Sequence, residues 1–201
     1  MNNIGIAIAA PGGYALDEAA LARGIAHLRQ MGCTVHNYYA PDEKYQRFGG
    51  TDAGRLAQLE AAARDPHVQV VIALRGAYGI SRILPRIDFR LMADSGKLFT
   101  GYSDFTAFHM GMYAATGRKS FAGPMICDDF IREEPVAYTL DQFWNCLRGP
   151  EHTVRGTAAG NPPVDVEGRL WGGNLAMLNH LVGTPYFARI PDGIVFIEDI
   201  N

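Results

Sequence analysis

The chain has 201 residues, of which 48% are hydrophobic, and its formal net charge is −3. This composition supports a sizeable core and excludes a disordered protein. No cluster of Lys and Arg indicates a nucleic acid or a membrane as partner. The three cysteines, without a Cys-x-x-Cys spacing, indicate neither a disulfide framework nor a zinc site.

Apolar runs alternate with helical patterns along most of the chain. Strands are predicted at Ile4–Ala10, Cys33–Tyr39, Val68–Leu74, Leu98–Thr100, Ser120–Ala122 and Gly193–Ile197. Helices are predicted at Asp17–Met31, Thr51–Arg64, Phe105–Ala115, Leu140–Leu147 and up to Leu181. This alternation predicts an α/β fold, with a mostly parallel N-terminal sheet covered by helices on both faces.

The composition changes after the fourth predicted helix. A turn-rich stretch at 149–166 predicts a linker between an N-terminal α/β domain, residues 1–148, and the start of a second, incomplete C-terminal domain, residues 167–201. This second part has about 35 residues, fewer than the ~40 that usually fold alone. We therefore expect the strand at 194–197 to lack partners, and the chain to be a truncated form of a longer enzyme.

No segment reaches the ~18 apolar residues of a membrane span, and the N-terminus lacks the basic region of a signal peptide. Sparse cysteines fit a reducing compartment. We interpret the protein as cytoplasmic.

The segment Gly101-Tyr-Ser-Asp104 lies between a predicted strand and a predicted helix. Such a corner holds the Ser103 hydroxyl beside the free N–H groups of a helix start, where acyl-transfer enzymes need donors for an anion. The corner has the mechanics of a nucleophile elbow without its Gly-x-Ser-x-Gly spelling. The alternative is that Ser103 is a helix N-cap.

Glycine-rich loops follow two other predicted strands, at Pro11-Gly12-Gly13 and Arg75–Gly79. Because sites in parallel sheets form at the carboxyl ends of strands, these loops are expected to meet the Ser103 corner. Neither loop has the spacing of a dinucleotide or Walker motif.

Four motifs occur in the order found in the LD-carboxypeptidase family of serine peptidases, which the chain resembles over almost its whole length. They are Arg75-Gly-Ala-Tyr-Gly79, Gly101-Tyr-Ser-Asp104, Leu170-Trp-Gly-Gly-Asn-Leu175 with Gly183-Thr184, and Val195-Phe-Ile-Glu-Asp199. The family includes muropeptide LD-carboxypeptidases and the microcin C immunity peptidase.

The resemblance implies a Ser–Glu–His triad with Ser103 as nucleophile and Glu198 as the acid. Asp199 is an alternative acid. The alternative role for Glu198 is that of a solvated charge at the end of a strand. The resemblance implies oxyanion donors at the N–H of Asp104 and of Gly76 or Ala77. Ala77 replaces a glycine of the family's loop, where alanine tolerates a positive φ poorly.

The resemblance also implies a substrate-binding group and no metal or organic cofactor. The group consists of Arg75, Tyr78, Trp171, Gly172 and Asn174. A surface cation is the alternative for Arg75, and core packing is the alternative for Trp171.

The family's histidine lies downstream of the glutamate, beyond Asn201. None of the six histidines of this chain is assigned as the general base. His109 is nearest to Ser103 in sequence, but its position on the predicted helix favours packing.

The implied function is hydrolysis of the L–D peptide bond before a C-terminal D-alanine of murein tetrapeptides, in peptidoglycan recycling, with the 201-residue form nearly inactive. The implied partner is a small muropeptide, with no nucleic acid and no membrane. The oligomeric state is open, and a homodimer is one option. Two alternatives are a peptidyl-nucleotide hydrolase of the microcin C type and a non-catalytic module that binds a small peptide or an anion.

Overall fold

The computed structural model describes residues 3–157 and 159–199. Its central element is a parallel sheet of five strands: β1 (Gly5–Ala9), β2 (Thr34–Asn37), β3 (Val70–Ala73), β4 (Leu98–Gly101) and β5 (Phe121–Ala122). The strand order is β2-β1-β3-β4-β5, and every neighbouring pair is parallel. The α/β fold with a mostly parallel sheet is confirmed.

The helices are α1 (Glu18–Gln30), α2 (Asp52–Arg64), α3 (Ile80–Ile83), α4 (Phe89–Asp94), α5 (Thr106–Thr116), α6 (Ala137–Arg148) and α7 (Leu175–Leu181). The side chain of Asp17 caps α1 and that of Thr51 caps α2, each by accepting a backbone N–H of the first turn. The sequence did not predict α3 and α4, because four and six residues are too few to display a helical period.

Short helical turns complete this part of the chain. Three are 3₁₀ turns, at Pro41–Glu43, Leu84–Arg86 and Ser103–Phe105, and one is a π-helical turn at Ile126–Phe130. The π-helical turn is fixed to the end of β3, because the Cys127 N–H donates to the Leu74 carbonyl over 2.9 Å.

Apolar side chains cover both faces of the sheet. One cluster lies on the side of α2, α4 and α5 and contains Leu59, Phe99 and Phe108. The other lies on the side of α1 and α6 and contains Leu28 and Phe143. All residues of β1 and β3 are buried, as a central parallel strand requires.

The C-terminal part contributes a second, two-stranded sheet. Its strands β6 (Arg169–Asn174) and β7 (Gly193–Glu198) are parallel and in register over their whole length. The expectation that the strand at 194–197 lacks partners was therefore wrong, since β6, α7 and β7 form a local strand–helix–strand unit. The domain boundaries stay a prediction.

The sheet changes its direction of winding at β1. The chain runs from β1 to β2 on one side, and then crosses to β3 on the other. In open α/β sheets, ligands bind at the carboxyl ends of the strands at such a switch point. The loops after β1 and β3 are the two glycine-rich loops singled out in the sequence.

Across residues 3–157 and 159–199, every helix is too short or too polar to cross a lipid bilayer.

Candidate active site

Ser103 occupies a strained corner between β4 and α5. Its φ of +59° lies in the left-handed region, where a residue with a side chain pays roughly 1–3 kcal/mol. Tyr102 and Phe105 occupy the cap positions of the 3₁₀ turn and of α5, and neither cap has a side-chain hydrogen bond. The N-cap alternative for Ser103 therefore has no support. The predicted corner between a strand and a helix is present, and its backbone is strained at Ser103.

The loop after β3 approaches the Ser103 side chain closely. A Cβ added to Gly76 would lie 2.9 Å from Ser103 Oγ and 3.0 Å from Ser103 Cβ, so this approach requires glycine. The loop is itself strained, because Ala77 has a φ of +89° and Tyr78 a φ of +54°. Ala77 thus adopts a backbone conformation in which glycine is usual.

The side chain of Asp104 ties the serine corner to the same loop. This carboxyl group is 1% exposed, and its Oδ2 accepts the N–H of Gly79 over 2.7 Å and that of Ile80 over 3.3 Å. Burial raises the pKa of Asp104 to about 6. The sequence indicates a role only for the backbone N–H of Asp104, and this contact of its side chain has no local signal.

The loop after β1 completes the convergence at the switch point. The Gly13 N–H donates to the Gly76 carbonyl over 2.6 Å. A Cβ on Gly12 would lie 2.4 Å from the Gly76 carbonyl oxygen and 3.1 Å from Asp104 Oδ2. The expectation that the three strand-end loops meet is confirmed.

Arg55, which the sequence does not indicate as a site residue, links the loops after β1 and β3. Its guanidinium is completely buried, and its Nη1 donates to the carbonyls of Pro11 over 2.5 Å and Gly79 over 2.7 Å. Its Nη2 donates to Asp52 over 2.7 Å. An arginine inside an alanine-rich helix carries no local signal for such a contact.

Glu198, at the end of β7, lines a cavity of about 460 Å³ together with Tyr102, the residue before Ser103. Its Oε1 is buried and has no hydrogen-bond partner within the described part of the chain. Ser103 and Gly76 are not among the described residues that line this cavity. Ser103 and Gly76 lie next to each other, whereas the convergence of Glu198 on them stays a prediction.

Two of the residues predicted to bind substrate belong to the loop after β3. Arg75 is half-buried, and its positive charge acts on the carboxyl group of Asp128. Burial has the larger effect on this carboxyl, so the pKa of Asp128 is raised although Arg75 opposes the shift. Tyr78 is 53% exposed.

The other three lie on β6 and have structural contacts. Trp171 packs edge-on against Phe187, with ring centroids 6.0 Å apart. A Cβ on Gly172 would lie 1.9 Å from the Phe196 carbonyl oxygen. Asn174 caps α7 by accepting the Met177 N–H over 3.1 Å. Substrate contacts by these three residues stay a prediction.

His109 has a structural role, in agreement with the expectation of packing. Its Nε2 contacts the Gly101 carbonyl at 2.9 Å and its Nδ1 contacts Ser120 Oγ at 2.7 Å. Burial lowers the pKa of His109 to about 4. With both ring nitrogens engaged, His109 is not available as a general base for Ser103.

His36 and His152 lie in different surroundings. His36 pairs with Asp65, with 3.0 Å between Nδ1 and the carboxylate. His152 lines the cavity that contains Glu198 and Tyr102. No group of three or more His, Cys, Asp or Glu in the described ranges is arranged to hold a metal ion.

Two family models match the chain. LD-carboxypeptidase N-terminal domain matches residues 6–123, and LD-carboxypeptidase C-terminal domain matches residues 167–201.

Among curated proteins, the probable murein peptide carboxypeptidase of Bacillus subtilis is 32% identical over 190 residues, which is 92% of this chain and 59% of that protein. The microcin C7 self-immunity protein MccF of Escherichia coli is 27% identical over 207 residues, 88% of this chain and 60% of that protein. The chain thus spans about 60% of the length of these relatives.

Among solved structures, the muramoyltetrapeptide carboxypeptidase from Oxalobacter formigenes is similar with a TM-score of 0.91 and 47% identity. The match covers 97% of this chain and 65% of that one.

Proposed function

Because the chain belongs to the LD-carboxypeptidase family, we propose that it carries the nucleophile half of a serine carboxypeptidase that cleaves murein tetrapeptides. The observation that supports this most is the Ser103 corner, where a serine with a φ of +59° lies against a glycine that leaves room for its hydroxyl. A helix cap requires neither the strain nor the glycine. A nucleophile exposed at a strand end uses both.

In the proposed reaction, Ser103 Oγ attacks the carbonyl carbon of the L–D peptide bond that precedes a C-terminal D-alanine. The hydroxyl proton passes to a general base, and the negative charge on the carbonyl oxygen is received by backbone N–H groups of Asp104 and of Gly76 or Ala77. The same proton then goes to the amine of D-alanine, which leaves. Water hydrolyses the remaining ester and frees Ser103.

Glu198 is the proposed partner of the histidine that acts as general base. Its buried and unpartnered Oε1, in the cavity beside Tyr102, supports this role, because a buried carboxylate oxygen without a donor is unfavourable. We propose no metal or organic cofactor. A cytoplasmic location and a muropeptide substrate are likewise proposals.

A second candidate function is hydrolysis of a peptidyl-nucleotide. The relative MccF supports it, since that protein is named for self-immunity to microcin C7. The higher identity of 47% to a muramoyltetrapeptide carboxypeptidase favours the murein peptide. A non-catalytic binding module is the remaining alternative.

The test measures D-alanine released from a murein tetrapeptide. We expect the 201-residue chain to be nearly inert, because a serine without its base is a weak nucleophile. A longer form that includes the region found in the relatives should release D-alanine. Ser103→Ala should abolish this release, and Ser81→Ala, a serine of α3, should leave it unchanged.

Release by the 201-residue chain at roughly 1–1000 per second would contradict the proposed lack of a base. His152→Gln would then be the variant to examine, since His152 lines the cavity with Glu198. An active longer form that Ser103→Ala leaves unchanged would contradict the serine mechanism itself.

A further inference from the structure

The backbone of Gly79 is held at its N–H and at its carbonyl by two different buried charged side chains. Asp104 Oδ2 accepts the Gly79 N–H over 2.7 Å, and Arg55 Nη1 donates to the Gly79 carbonyl over 2.7 Å. Both side chains are almost completely buried, with 1% of Asp104 and none of Arg55 exposed. We call Asp104, Arg55 and the N–H and carbonyl groups of Gly79 the Gly79 clamp.

The Gly79 clamp joins all three loops of the switch point. Arg55 Nη1 also donates to Pro11 in the loop after β1, and Asp104 directly follows Ser103 in the corner after β4. The guanidinium of Arg55 further lies over the ring of Phe48, with 4.6 Å to the centroid. A shift of one loop would therefore leave a buried charged group without its partner, which is strongly unfavourable.

The clamp lies beside the strained part of the loop after β3. Ala77 and Tyr78 both have positive φ, and the clamped residue follows them directly. Strained backbone of this kind persists only when the surrounding structure over-determines it. The loop begins at the end of β3, where the Leu74 N–H donates to the Ala9 carbonyl. It ends at the Gly79 clamp. Both ends of the loop are therefore fixed, and the segment between them passes next to Ser103.

We propose that Asp104 and Arg55 are positioning residues: by clamping Gly79, they hold the Arg75–Gly79 loop against Ser103 and keep the Gly76 and Ala77 N–H groups aimed at the oxyanion. The proposal rests on the proposed function, because the oxyanion belongs to that reaction. The side chain of Asp104 acts through the loop, whereas its own N–H group is a proposed oxyanion donor. The carboxyl group is thus distinct in role from the backbone of the same residue.

Amide hydrogen exchange of the 201-residue chain tests the clamp without requiring any turnover. In Asp104→Leu, which has a similar size and no acceptor, we expect exchange of the Gly79 and Ile80 amides to be faster by about tenfold or more. Asp104→Asn retains an acceptor oxygen and should stay within about threefold of the wild type. Exchange in β1 and β3 should not change, which separates loss of the clamp from general destabilisation.

Asp88→Leu is the matched control, because Asp88 also accepts a backbone N–H, that of Leu91 at the start of α4. It should accelerate exchange in α4 and leave Gly79 and Ile80 unchanged. If Asp104→Leu does not fold, Arg55→Lys provides the second test. Lysine keeps the charge but lacks the guanidinium fork, whose Nη1 donates to Pro11 and Gly79 while Nη2 donates to Asp52. The substitution should loosen residues 76–80 in the same way.

In the longer, active form, Asp104→Leu should lower kcat by at least about tenfold with a much smaller change in KM, and Asp104→Asn should restore most of kcat. Unchanged exchange at Gly79 and Ile80 in both Asp104→Leu and Arg55→Lys would overturn the clamp, whatever the activity. Faster exchange with unchanged kcat would overturn its role in positioning. Absence of D-alanine release from the longer form with the wild-type sequence would instead refute the proposed function and leave the exchange result standing.

Discussion

Protonation of His109 should destabilise the fold as the pH falls from about 6.5 to about 4. Gly101 offers only a carbonyl oxygen to Nε2, so that this nitrogen carries the proton and Nδ1 accepts the Ser120 hydroxyl. The neutral ring therefore fits the site. Because β4 ends at Gly101, this contact also holds the strand that leads to Ser103.

The magnitude follows from the pKa of His109. Burial lowers it from 6.5 to about 4, whereas the unfolded chain keeps the ordinary value. Between these two pH values the unfolded state binds the additional proton, so the free energy of unfolding falls as the pH falls. At 1.36 kcal/mol for each pH unit, the loss approaches ~3 kcal/mol.

Asp104 acts in the opposite direction over nearly the same range. Its pKa in the fold is about 6, against 3.8 as the ordinary value, so the folded state binds the additional proton there. Its contribution to stability rises as the pH falls, also by up to ~3 kcal/mol. The two effects nearly cancel in the wild type, and a wild-type curve alone does not reveal either of them.

Comparison with His109→Gln isolates the histidine. Urea unfolding, followed by far-UV circular dichroism at several pH values from 7.5 to about 4, gives the free energy of unfolding of both proteins. At neutral pH the variant should be less stable by about 1–2 kcal/mol, because it loses buried hydrogen bonds. This deficit should shrink or reverse towards pH 4, and a constant deficit would refute the reasoning.

Three further outcomes are expected from the same unfolding assay. Ala77→Gly should raise the free energy of unfolding by about 0.5–1 kcal/mol, since glycine relieves the φ of +89°, and a lower stability would contradict the strain. Gly172→Ala should lower the free energy of unfolding by more than ~2 kcal/mol, because the added Cβ would overlap the Phe196 carbonyl oxygen. Gly117 also has a positive φ but open space around it, so Gly117→Ala should lower the free energy of unfolding by only about 1 kcal/mol. Asp104→Asn should gain up to ~3 kcal/mol relative to the wild type as the pH rises from 3.8 to 6, and equal slopes for the two proteins would contradict the raised pKa.

The sequence by itself determined the class of fold and the position of the serine corner. Buried parallel strands need apolar side chains on both faces, so β1 and β3 appear as continuous apolar runs. The corner at Ser103 appears as a strand, a short polar turn and a helix in immediate succession. Such features depend on neighbours in the chain, and a local pattern is therefore sufficient to predict them.

The tertiary structure alone decided which side chains serve the site. Arg55 reaches Pro11 across 44 residues and Gly79 across 24, and the carboxyl of Asp104 reaches Gly79 across 25. The pairing of β6 with β7, which the sequence pattern did not predict, likewise depends on α7 bringing the chain back alongside β6. A helical arginine or a strand-end aspartate has no local signature for such contacts. Their partners are backbone groups, which every sequence offers alike, and only the folded chain selects the ones that come within reach.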